Sequence, residues 1–481
     1  MYTDKLTKIV ATLSPAVATE EMLTKFIQSG VNVFRLNFSH GSYEEYTKII
    51  SNIKNVRENL GVNVSILQDL QGPRVRVSAI ENPLEISIGD VVNLTYQGSQ
   101  YDFDSESKIL PLDHNLTPIL EVGESILIED GLIELKIKEI VKDKDYAICE
   151  AITNSTIKGR KGVNFPGSSA DFPVITEKDK SDLKFGLSQG IDILAMSFVR
   201  SKQDIENLRS LIESDKDKVQ YPLVFAKVEK PDAVDSIDDI LDVVDGIMVA
   251  RGDLAIEVPA EEVPVIQKSI IELCILRGKR VIVATQMLDS MQNNPRPTRA
   301  EVSDVANAVI DHTDAVMLSN ETATGKYPIH TVKMMATIIS ETEDSNYDRL
   351  HLQMSPTKKH GDTDDIITKL SRVIAEDTES KLILAASISG DTGRLISRYR
   401  PELPIAVGTS SERVRNQLNL SWGVIPFILL HCDSIEELVE RSVSYLKKNK
   451  IVKKKDKIVV VAGEPVGQAG NINLLELKEI K

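Results

Sequence analysis

Short runs of consecutive apolar residues recur along residues 1–343, and charged segments of helical character separate most of them. The eight runs are Lys8–Leu13, Val31–Leu36, Val64–Leu67, Ile191–Ala195, Leu223–Ala226, Gly246–Ala250, Arg280–Ala284 and Ala315–Leu318. The helical segments are Glu20–Ser29, Tyr43–Asn59, Ser201–Ser214, Val263–Arg277 and Thr298–Ile310. A strand that is apolar at every position is buried on both faces, as parallel strands usually are. Eight such strands separated by helices predict an α/β fold built on a (β/α)8 TIM barrel.

One connection between these runs is far longer than the others. About 120 residues separate the third run from the fourth, whereas barrel connections are usually short. Within it, Ser125–Ile140 alternates apolar and polar residues on both sides of Asp130-Gly131, which predicts a β-hairpin. Shorter strands are predicted at Glu85–Ile88 and Val91–Tyr96. We therefore expect an inserted small β-barrel lid domain that overhangs the C-terminal face of the barrel.

A polar stretch at Asp344–Asp365 predicts a linker to a further unit. Extended apolar segments are predicted beyond it at Lys381–Ser387 and Lys457–Ala462. Helices are predicted at Ile366–Glu376, Glu412–Leu418 and Ile435–Lys447. The predicted domains are a catalytic barrel at residues 1–70 and 166–343, a β lid at 71–165, and a C-terminal αβ domain with a possible effector site at 344–481.

Composition narrows the class of protein. The 481 residues suggest about three domains. The 72 acidic and 57 basic residues give a formal net charge of −15, which disfavours binding to nucleic acid or to an anionic membrane surface. Three widely separated cysteines show neither metal-ligand spacing nor a disulfide framework, as is typical of a reducing cytosol. Met1–Thr12 leaves no room for a signal peptide, so we expect a cytoplasmic protein. From the net negative charge we expect neither nucleic-acid nor membrane partners.

Polar side chains follow six of the eight runs, at the strand ends where barrel enzymes carry their active sites. These segments are Arg35–Gly41, Asp69, Lys227–Glu229, Arg251–Asp253, Thr285–Gln286 and Ser319–Glu321. Glu229 and Asp253 offer the oxygen ligands that Mg²⁺ prefers. Lys227 would face the same side of its strand as Glu229, and Arg35 carries a fork suited to phosphate. A metal and two cations around one spot would neutralise a phosphoryl group in transit, so phosphoryl transfer is the leading reaction class.

Each of these residues also has a structural interpretation when it is taken alone. Lys227 and Glu229 could form an ion pair of the fold. Thr285 and Ser319 could cap helices, and His40 could hold a turn. Their shared position on strand ends favours the functional interpretation.

The sequence contains no P-loop, dinucleotide-binding or zinc motif. A nucleotide would therefore lie between the barrel mouth and the lid, held by basic residues such as Arg76 and Lys161. A different class of function stays open, namely a barrel lyase or aldolase that acts on pyruvate-like substrates with Mg²⁺ beside a basic residue. That alternative predicts no use for a nucleotide lid.

At these residues the sequence resembles the pyruvate kinase family over nearly the whole chain. The matching motifs are TKIVATLSPA (Thr7–Ala16), RLNFSHG (Arg35–Gly41), DLQGPRVRV (Asp69–Val77), KGVNFPG (Lys161–Gly167), SFVRS (Ser197–Ser201), MVARGDLAIEVPAEEVP (Met248–Pro264), ATQMLDSMQNNPRPTRAEVSDVANAV (Ala284–Val309) and MLSNETATGKYP (Met317–Pro328). The resemblance implies transfer of the phosphoryl group of phosphoenolpyruvate to ADP, giving pyruvate and ATP. It also implies Mg²⁺, which Mn²⁺ could replace, a second Mg²⁺ with the nucleotide, and a homotetramer. A catalytically inactive relative is a third interpretation, weakened because the motif residues are all present.

The resemblance assigns roles to individual residues of this chain. Lys227 would stabilise the charge of the phosphoryl group in transit, and Arg35 would bind the phosphate. Glu229 and Asp253 would hold Mg²⁺. The residues in contact with the nucleotide would be Asn37, His40, Arg76 and Lys161.

The carboxylate of the substrate would bind to a different set of groups. The resemblance implies the backbone amides around Gly252 and Asp253 together with the hydroxyl of Thr285. Thr285 and Ser319 would help to deliver the proton that converts enolpyruvate to pyruvate, through water because neither hydroxyl is acidic enough alone.

The chain departs from the family pattern at the monovalent cation site. Asn37, Ser39 and Asp69 stand where many members bind an essential K⁺. Arg74 stands where those members carry Glu, and Leu70 where potassium-dependent members carry Thr. A fixed guanidinium can take the electrostatic role of a bound monovalent cation. We therefore expect activity that does not require K⁺.

Two further expectations follow from the resemblance. Ser14, Ala255 and Asn320 replace glycines that are usual in the family, which bears on the rate more than on the reaction. A loop of the C-terminal domain matches the family's effector phosphate loop in position, with Gly463–Asn471 as its second wall. The residues of this loop that would bind a sugar phosphate or a nucleotide monophosphate are Ser387, Ser389, Gly390, Thr392, Gly393 and Arg394. An unregulated enzyme is the alternative.

Overall fold

The structure is a computed structural model that describes residues 5–96, 98–129, 131–166, 173–214, 221–348, 363–463 and 472–481. Several features named above lie outside these residues: Asp130 of the predicted turn, Gly167 of one motif, most of the predicted linker, and residues 464–471 of the second effector wall. Within the described residues, no helix is both long and apolar enough to cross a membrane.

The first stretch of the chain forms three strands and two helices. They are β1 (Lys8–Leu13), α1 (Glu20–Gln28), β2 (Val33–Asn37), α2 (Tyr43–Leu60) and β3 (Ser65–Asp69). Ser42 and Glu45 form a capping box that satisfies the first amides of α2, and Gly61 ends that helix in a left-handed conformation. These local signals explain why the helix occupies the predicted segment.

The inserted segment is entirely β among the described residues. Its strands are β4 (Leu84–Ile86), β5 (Val91–Tyr96), β6 (Lys108–Leu112), β7 (Ser125–Ile128), β8 (Ile133–Val141), β9 (Tyr146–Ala151), β10 (Ser155–Ile157) and β11 (Val163–Asn164). Six of them form a sheet in the order β11-β7-β8-β9-β5-β6, and β10 pairs with β4. Bridges from Arg76 to Gly162 and from Val77 to Leu112 join the two edges of that sheet, so it curls into a small barrel. The predicted hairpin is confirmed as β7 and β8.

The chain then completes the large barrel. The helices and strands are α3 (Glu177–Gln189), β12 (Ile193–Met196), α4 (Lys202–Glu213), β13 (Leu223–Val228), α5 (Pro231–Asp235), α6 (Ile237–Val243), β14 (Gly246–Ala250), α7 (Arg251–Glu257), α8 (Val263–Arg277), β15 (Arg280–Ala284), α9 (Arg299–Ile310), β16 (Ala315–Leu318), α10 (Asn320–Ala323) and α11 (Pro328–Glu343). Eight parallel strands close in the order β1-β16-β15-β14-β13-β12-β3-β2. All eight coincide with the predicted apolar runs to within about two residues, as expected for buried strands, and the predicted TIM barrel is confirmed.

The C-terminal unit is a five-stranded α/β layer. It contains α12 (Thr363–Asp377), β17 (Leu382–Ala386), α13 (Asp391–Arg398), β18 (Ile405–Thr409), α14 (Glu412–Leu418), β19 (Val424–Ile428), α15 (Ile435–Lys448), β20 (Lys457–Ala462) and β21 (Leu474–Glu479). The strand order is β19-β18-β17-β20-β21, with only β21 antiparallel to its neighbour. This confirms the predicted C-terminal αβ fold, while the boundaries given for the three domains stay predictions.

The C-terminal unit closes the end of the large barrel that lies opposite the lid. Leu420 packs into the apolar cluster inside the barrel. Lys8 Nζ donates to the carbonyl of Val424 over 2.9 Å, and Arg400 pairs with Asp314 at 2.8 Å. The C-terminal ends of the barrel strands are thereby left facing the lid.

Candidate active site

Four charged side chains meet at the C-terminal ends of β2, β3 and β13. Arg35 Nη2 lies 2.6 Å from Asp69 Oδ2. Lys227 Nζ lies 3.3 Å from Asp69 Oδ1 and 2.7 Å from Glu229 Oε1. All four residues are buried. The structure thus brings together the predicted catalytic lysine, the phosphate-binding arginine and two carboxylates.

Burial and these neighbours set the protonation states. Burial lowers the pKa of Lys227, but the carboxylates of Asp69, Glu229 and Asp253 outweigh it and hold that pKa above the ordinary value. Burial raises the pKa of Asp69, yet Lys227 and Arg35 hold it below its usual range. Burial also raises the pKa of Glu229, against the opposing effect of Lys227. Lys227 therefore stays an ammonium group at the barrel mouth.

Two hydroxyls that sequence reasoning missed hold these cations in place. Lys227 Nζ donates to Ser197 Oγ over 2.8 Å, and Ser197 Oγ donates to the carbonyl of Leu70. Arg35 Nη1 donates to Thr12 Oγ1 over 3.0 Å. Both hydroxyls lie inside motifs that match the family and at the C-terminal ends of β1 and β12, and either signal could have found them.

Asp253, in the first turn of α7, pairs with the lid root. Arg74 Nη2 lies 3.0 Å from Asp253 Oδ1. Asp253 also contributes to the raised pKa of Glu229, so the two predicted metal ligands interact electrostatically. Among the described residues, no group of three or more His, Cys, Asp or Glu side chains could hold a metal. Two neighbouring carboxylates fit a hard cation whose remaining ligands come from substrate and water.

The predicted K⁺ ligands have protein partners of their own. Asp69 is engaged by Arg35 and Lys227, as described above. Asn37 Oδ1 accepts a hydrogen bond from the Ser39 amide over 3.2 Å. Arg74 forms its ion pair with Asp253, which is not one of these three residues.

Thr285 ends β15 in an unusual backbone conformation. Its φ is +72°, and that of Gln286 is +53°. A left-handed residue with a side chain is disfavoured, most of all a β-branched one, and costs about 1–3 kcal/mol. The Gly252 amide donates to Thr285 Oγ1 over 2.7 Å, and Thr285 Oγ1 donates to the Ala284 carbonyl over 2.6 Å. Thr285 and the Gly252 amide are thus adjacent, as the predicted carboxylate site requires.

Ser319 lies next to a buried carboxylate. The Ser319 amide donates to Glu321 Oε2 over 2.7 Å, and the Leu288 amide donates to Glu321 Oε1 over 3.3 Å. Burial raises the pKa of Glu321. The side chain of Glu321 therefore fixes the loop that carries the Ser319 hydroxyl.

The three residues expected by resemblance to replace glycines do not occupy left-handed backbone. Ser14 has φ −119°, and Ala255 and Asn320 lie in α7 and α10. These substitutions therefore add no backbone strain of the kind that only glycine avoids.

The predicted nucleotide residues lie where the large barrel meets the lid. His40 is exposed, and its pKa is lowered by partial burial and by Arg76, Arg74 and Arg35. Arg76 Nη1 donates to the Arg160 carbonyl over 3.1 Å. Lys161 pairs with Glu129 of the lid. His40 and Arg76 therefore belong to one positive region, and Lys161 follows Arg160 on the lid side of it.

The predicted effector loop differs from the structure in its second half. The segment is a loop only to Gly390, whose φ is +91°, and α13 begins at Asp391. Ser387 Oγ accepts from the amides of Gly390 and Thr392, which caps the helix. The predicted loop residues that line a cavity of about 210 Å³ are Ser387, Ser389 and Thr392.

Two of the predicted effector residues have other contacts. Arg394 Nη1 donates to the Gly278 carbonyl at the end of α8, 2.6 Å away, and Nη2 pairs with Asp391. Gly393 lies against β18, where an added Cβ would come within 2.7 Å of Val407. These residues join the domain to the barrel and the helix to its sheet.

Comparisons with known proteins agree with this arrangement. The family description "Pyruvate kinase, barrel domain" matches residues 4–332, and "Pyruvate kinase, alpha/beta domain" matches residues 365–477. A pyruvate kinase of Sporosarcina psychrophila is 41% identical over 98% of this chain and 80% of its own length. One of Clostridium acetobutylicum is 40% identical over 99% of both chains. The crystal structure of a pyruvate kinase from Cryptosporidium parvum aligns with a TM-score of 0.91 at 32% identity, covering 100% of this chain and 97% of that one.

Proposed function

The chain belongs to the pyruvate kinase family, and from this membership we propose that Lys227, Arg35 and Thr285 act directly on the substrate. An enzyme of this family transfers a phosphoryl group from phosphoenolpyruvate to ADP, giving pyruvate and ATP. The observation that carries the proposal is the position of Lys227 Nζ, 3.3 Å from Asp69 and 2.7 Å from Glu229 at the barrel mouth.

Lys227 and Arg35 would neutralise the phosphoryl group during transfer. Both are buried and held by fixed partners, so they need little reorganisation when negative charge develops. The raised pKa of Lys227 keeps it charged at neutral pH. Positioning and charge neutralisation of this kind supply most of the catalysis in phosphoryl transfer.

Glu229 and Asp253 would hold Mg²⁺, or Mn²⁺ in its place. The metal would supply a Lewis acid beside the substrate oxygens, and a second Mg²⁺ would accompany the nucleotide. This assignment is supported by the two neighbouring carboxylates at the mouth of the barrel.

The substrate carboxylate would bind at the start of α7. Helix N-termini favour anions because their first amides lack partners within the helix. The amides of Gly252 and Asp253 and the hydroxyl of Thr285 would receive the carboxylate. Thr285 and Ser319 would help to bring a proton, through water, to the methylene carbon of enolpyruvate. Formation of the ketone then makes the overall transfer downhill.

The nucleotide would lie between barrel and lid. Asn37 and His40 would contact it from the barrel, and Arg76 and Lys161 from the lid. The support is electrostatic, because a net charge of −15 would repel an anionic nucleotide unless the mouth itself is positive.

We propose that the enzyme does not need K⁺. Arg74 supplies a fixed positive charge at the lid root, and Leu70 lacks the hydroxyl of potassium-dependent members. Asp69, one of the K⁺ ligands expected by resemblance, already has two cationic partners in Arg35 and Lys227.

Regulation, assembly and location are further proposals. The cavity lined by Ser387, Ser389 and Thr392 would accept a phosphate-bearing effector. The family supports a homotetramer, and membership of a glycolytic family supports a cytoplasmic location. Titration with fructose bisphosphate, ribose 5-phosphate and AMP tests the effector site, since three unchanged saturation curves would retire it.

The test of the main proposal is ADP-dependent pyruvate formation from phosphoenolpyruvate with Mg²⁺, repeated on Lys227→Met. The unaltered enzyme should be active, and the variant should lose at least about a hundredfold in kcat. An undiminished variant would overturn the mechanism. An inactive but folded parent protein would instead favour the interpretation as a catalytically inactive family member.

A further inference from the structure

Arg251, the residue that follows β14, binds several neighbouring elements through one guanidinium group. Nη2 donates to the Thr285 carbonyl over 2.7 Å, and Nη1 donates to Asp304 Oδ1 on α9 over 2.7 Å. Longer contacts reach the Ala284 carbonyl at 3.3 Å and Gln267 Oε1 at 3.4 Å. The side chain is only 14% exposed, so water competes weakly for these hydrogen bonds.

Thr285 requires outside support for its backbone. It and Gln286 are consecutive left-handed residues, and neither is a glycine. Such a conformation persists only where the surroundings over-determine it, and it is concentrated at functional sites. A guanidinium group anchored to a carboxylate and bonded to the Thr285 carbonyl provides that support.

Arg251 and Gly252 together hold both oxygen atoms of Thr285. The Arg251 side chain binds the main-chain oxygen, and the Gly252 amide binds Oγ1 over 2.7 Å. Because the two residues are consecutive, one dipeptide fixes where the Thr285 carbonyl lies and where its hydroxyl points.

We infer that Arg251 is a positioning residue for the reaction, acting through Thr285. Its guanidinium group bonds to two backbone carbonyls, to Met287 Sδ and to residues on α8 and α9, so it can act without contact with the substrate. This inference rests on the proposed role of the Thr285 hydroxyl in binding carboxylate and delivering a proton.

The test is a double-mutant cycle with Arg251→Met, Thr285→Ala and the double variant. Arg251→Met should lower kcat/KM for phosphoenolpyruvate by about tenfold to a hundredfold when Thr285 is present. In the Thr285→Ala background the same substitution should lower kcat/KM by less than about threefold, because the hydroxyl that Arg251 positions is absent. An equal loss in both backgrounds overturns the inference, as it would show that Arg251 acts without Thr285.

Two control variants separate positioning from folding. Arg209 binds the Val243 carbonyl at 2.7 Å and Asp245 at 2.8 Å, the same pair of acceptor types at the opposite end of the barrel. Arg209→Met should reduce stability similarly while kcat/KM stays within about twofold. Arg251→Lys keeps the charge and should fall between the parent and Arg251→Met. If Arg251→Met does not fold, Asp304→Ala removes the acceptor that anchors Arg251 and replaces Arg251→Met in the cycle.

The outcomes distinguish this inference from the proposed function. A parent enzyme that makes no pyruvate with ADP overturns the proposed function. An active parent with an unchanged Thr285→Ala variant overturns the role of Thr285 and this inference with it. If the parent is active, Thr285→Ala is impaired and the effects of the two substitutions are additive, the inference about Arg251 is overturned while the proposed function stands.

Discussion

Arg74 Nη2 lies 3.0 Å from Asp253 Oδ1, which joins the root of the lid to the first turn of α7. The two side chains are 29% and 21% exposed, so the pair is partly solvated. Arg74 follows β3 where the chain leaves the barrel, and Asp253 is one of the two proposed metal ligands. A single guanidinium group therefore has two proposed tasks, as counter-charge to Asp253 and as substitute for a monovalent cation. Substitutions of Arg74 test them separately.

Arg74→Met should tighten the binding of Mn²⁺ to the substrate-free enzyme. In the parent the metal competes with a guanidinium for Asp253, and the variant removes that competitor. Partly exposed ion pairs contribute about 0–1 kcal/mol, so the gain should be at most about fivefold in Kd. Calorimetric titration with MnCl2 measures it directly. Arg74→Lys keeps the charge and should bind like the parent, whereas weaker binding by Arg74→Met would contradict the competition.

Arg74→Glu should make the enzyme respond to K⁺. The parent should keep most of its activity when tetramethylammonium or sodium replaces K⁺. The variant reverses the charge beside the phosphates, should lose at least about tenfold in kcat/KM in tetramethylammonium, and should regain part of it in K⁺. Initial rates in the three salts at equal ionic strength provide the measurement. If the parent loses most of its activity without K⁺, the proposal that the enzyme does not need K⁺ is wrong.

The large barrel and its mouth are predictable from sequence for a physical reason. Strands buried on both faces are apolar throughout, and the C-terminal ends of parallel strands meet on one face, so the sequence places Arg35, Lys227 and Thr285 at one mouth of the barrel. The pairing of Arg74 with Asp253 carries no such signal. It depends on the direction in which the chain leaves β3 to enter the inserted domain, and the pattern of apolar and polar residues does not predict that direction.

Among the elements that escaped prediction, two have residues that argue against them. Strand β6 contains Pro111, and proline is tolerated only because β6 forms an edge of its sheet. Helix α13 starts at Asp391 after a left-handed Gly390 and contains Gly393, whose missing side chain allows the helix to pack closely on β18. Both depend on tertiary contacts that become visible only in the folded structure.

Ser197→Ala should slow the reaction without unfolding the protein. Ser197 Oγ accepts from Lys227 Nζ over 2.8 Å, and a hydrogen bond to a charged group contributes about 1.5–3 kcal/mol. We expect kcat to fall by at least about tenfold, with a small change in KM for phosphoenolpyruvate, because the ammonium group keeps Asp69 and Glu229 but loses its third anchor. Ser188→Ala is the matched control, since that hydroxyl is exposed and donates to the Phe185 carbonyl over 2.6 Å, away from the barrel mouth. Equal kcat values for the two variants would show that Lys227 does not depend on Ser197.

Lys8→Met should stabilise the protein at neutral pH and lose that advantage in alkali. Burial lowers the pKa of Lys8 to about 8, although Glu343 and Asp314 oppose the shift. Below pH 8 both folded and unfolded states bind the proton, so the folded state carries the full penalty of a buried ammonium group, at most about 3 kcal/mol. As pH rises from about 8 to 10.5, the folded state releases its proton first and the penalty disappears.

The variant loses the hydrogen bond to Val424, which contributes about 1 kcal/mol at every pH below that range. Thermal melting at pH 7 and pH 10 should therefore show a higher Tm for Lys8→Met than for the parent only at pH 7, with Lys25→Met, at an exposed lysine, as the control for the loss of a lysine side chain. A difference in Tm between variant and parent that stays constant with pH would show that burial of the Lys8 ammonium group does not destabilise the folded state.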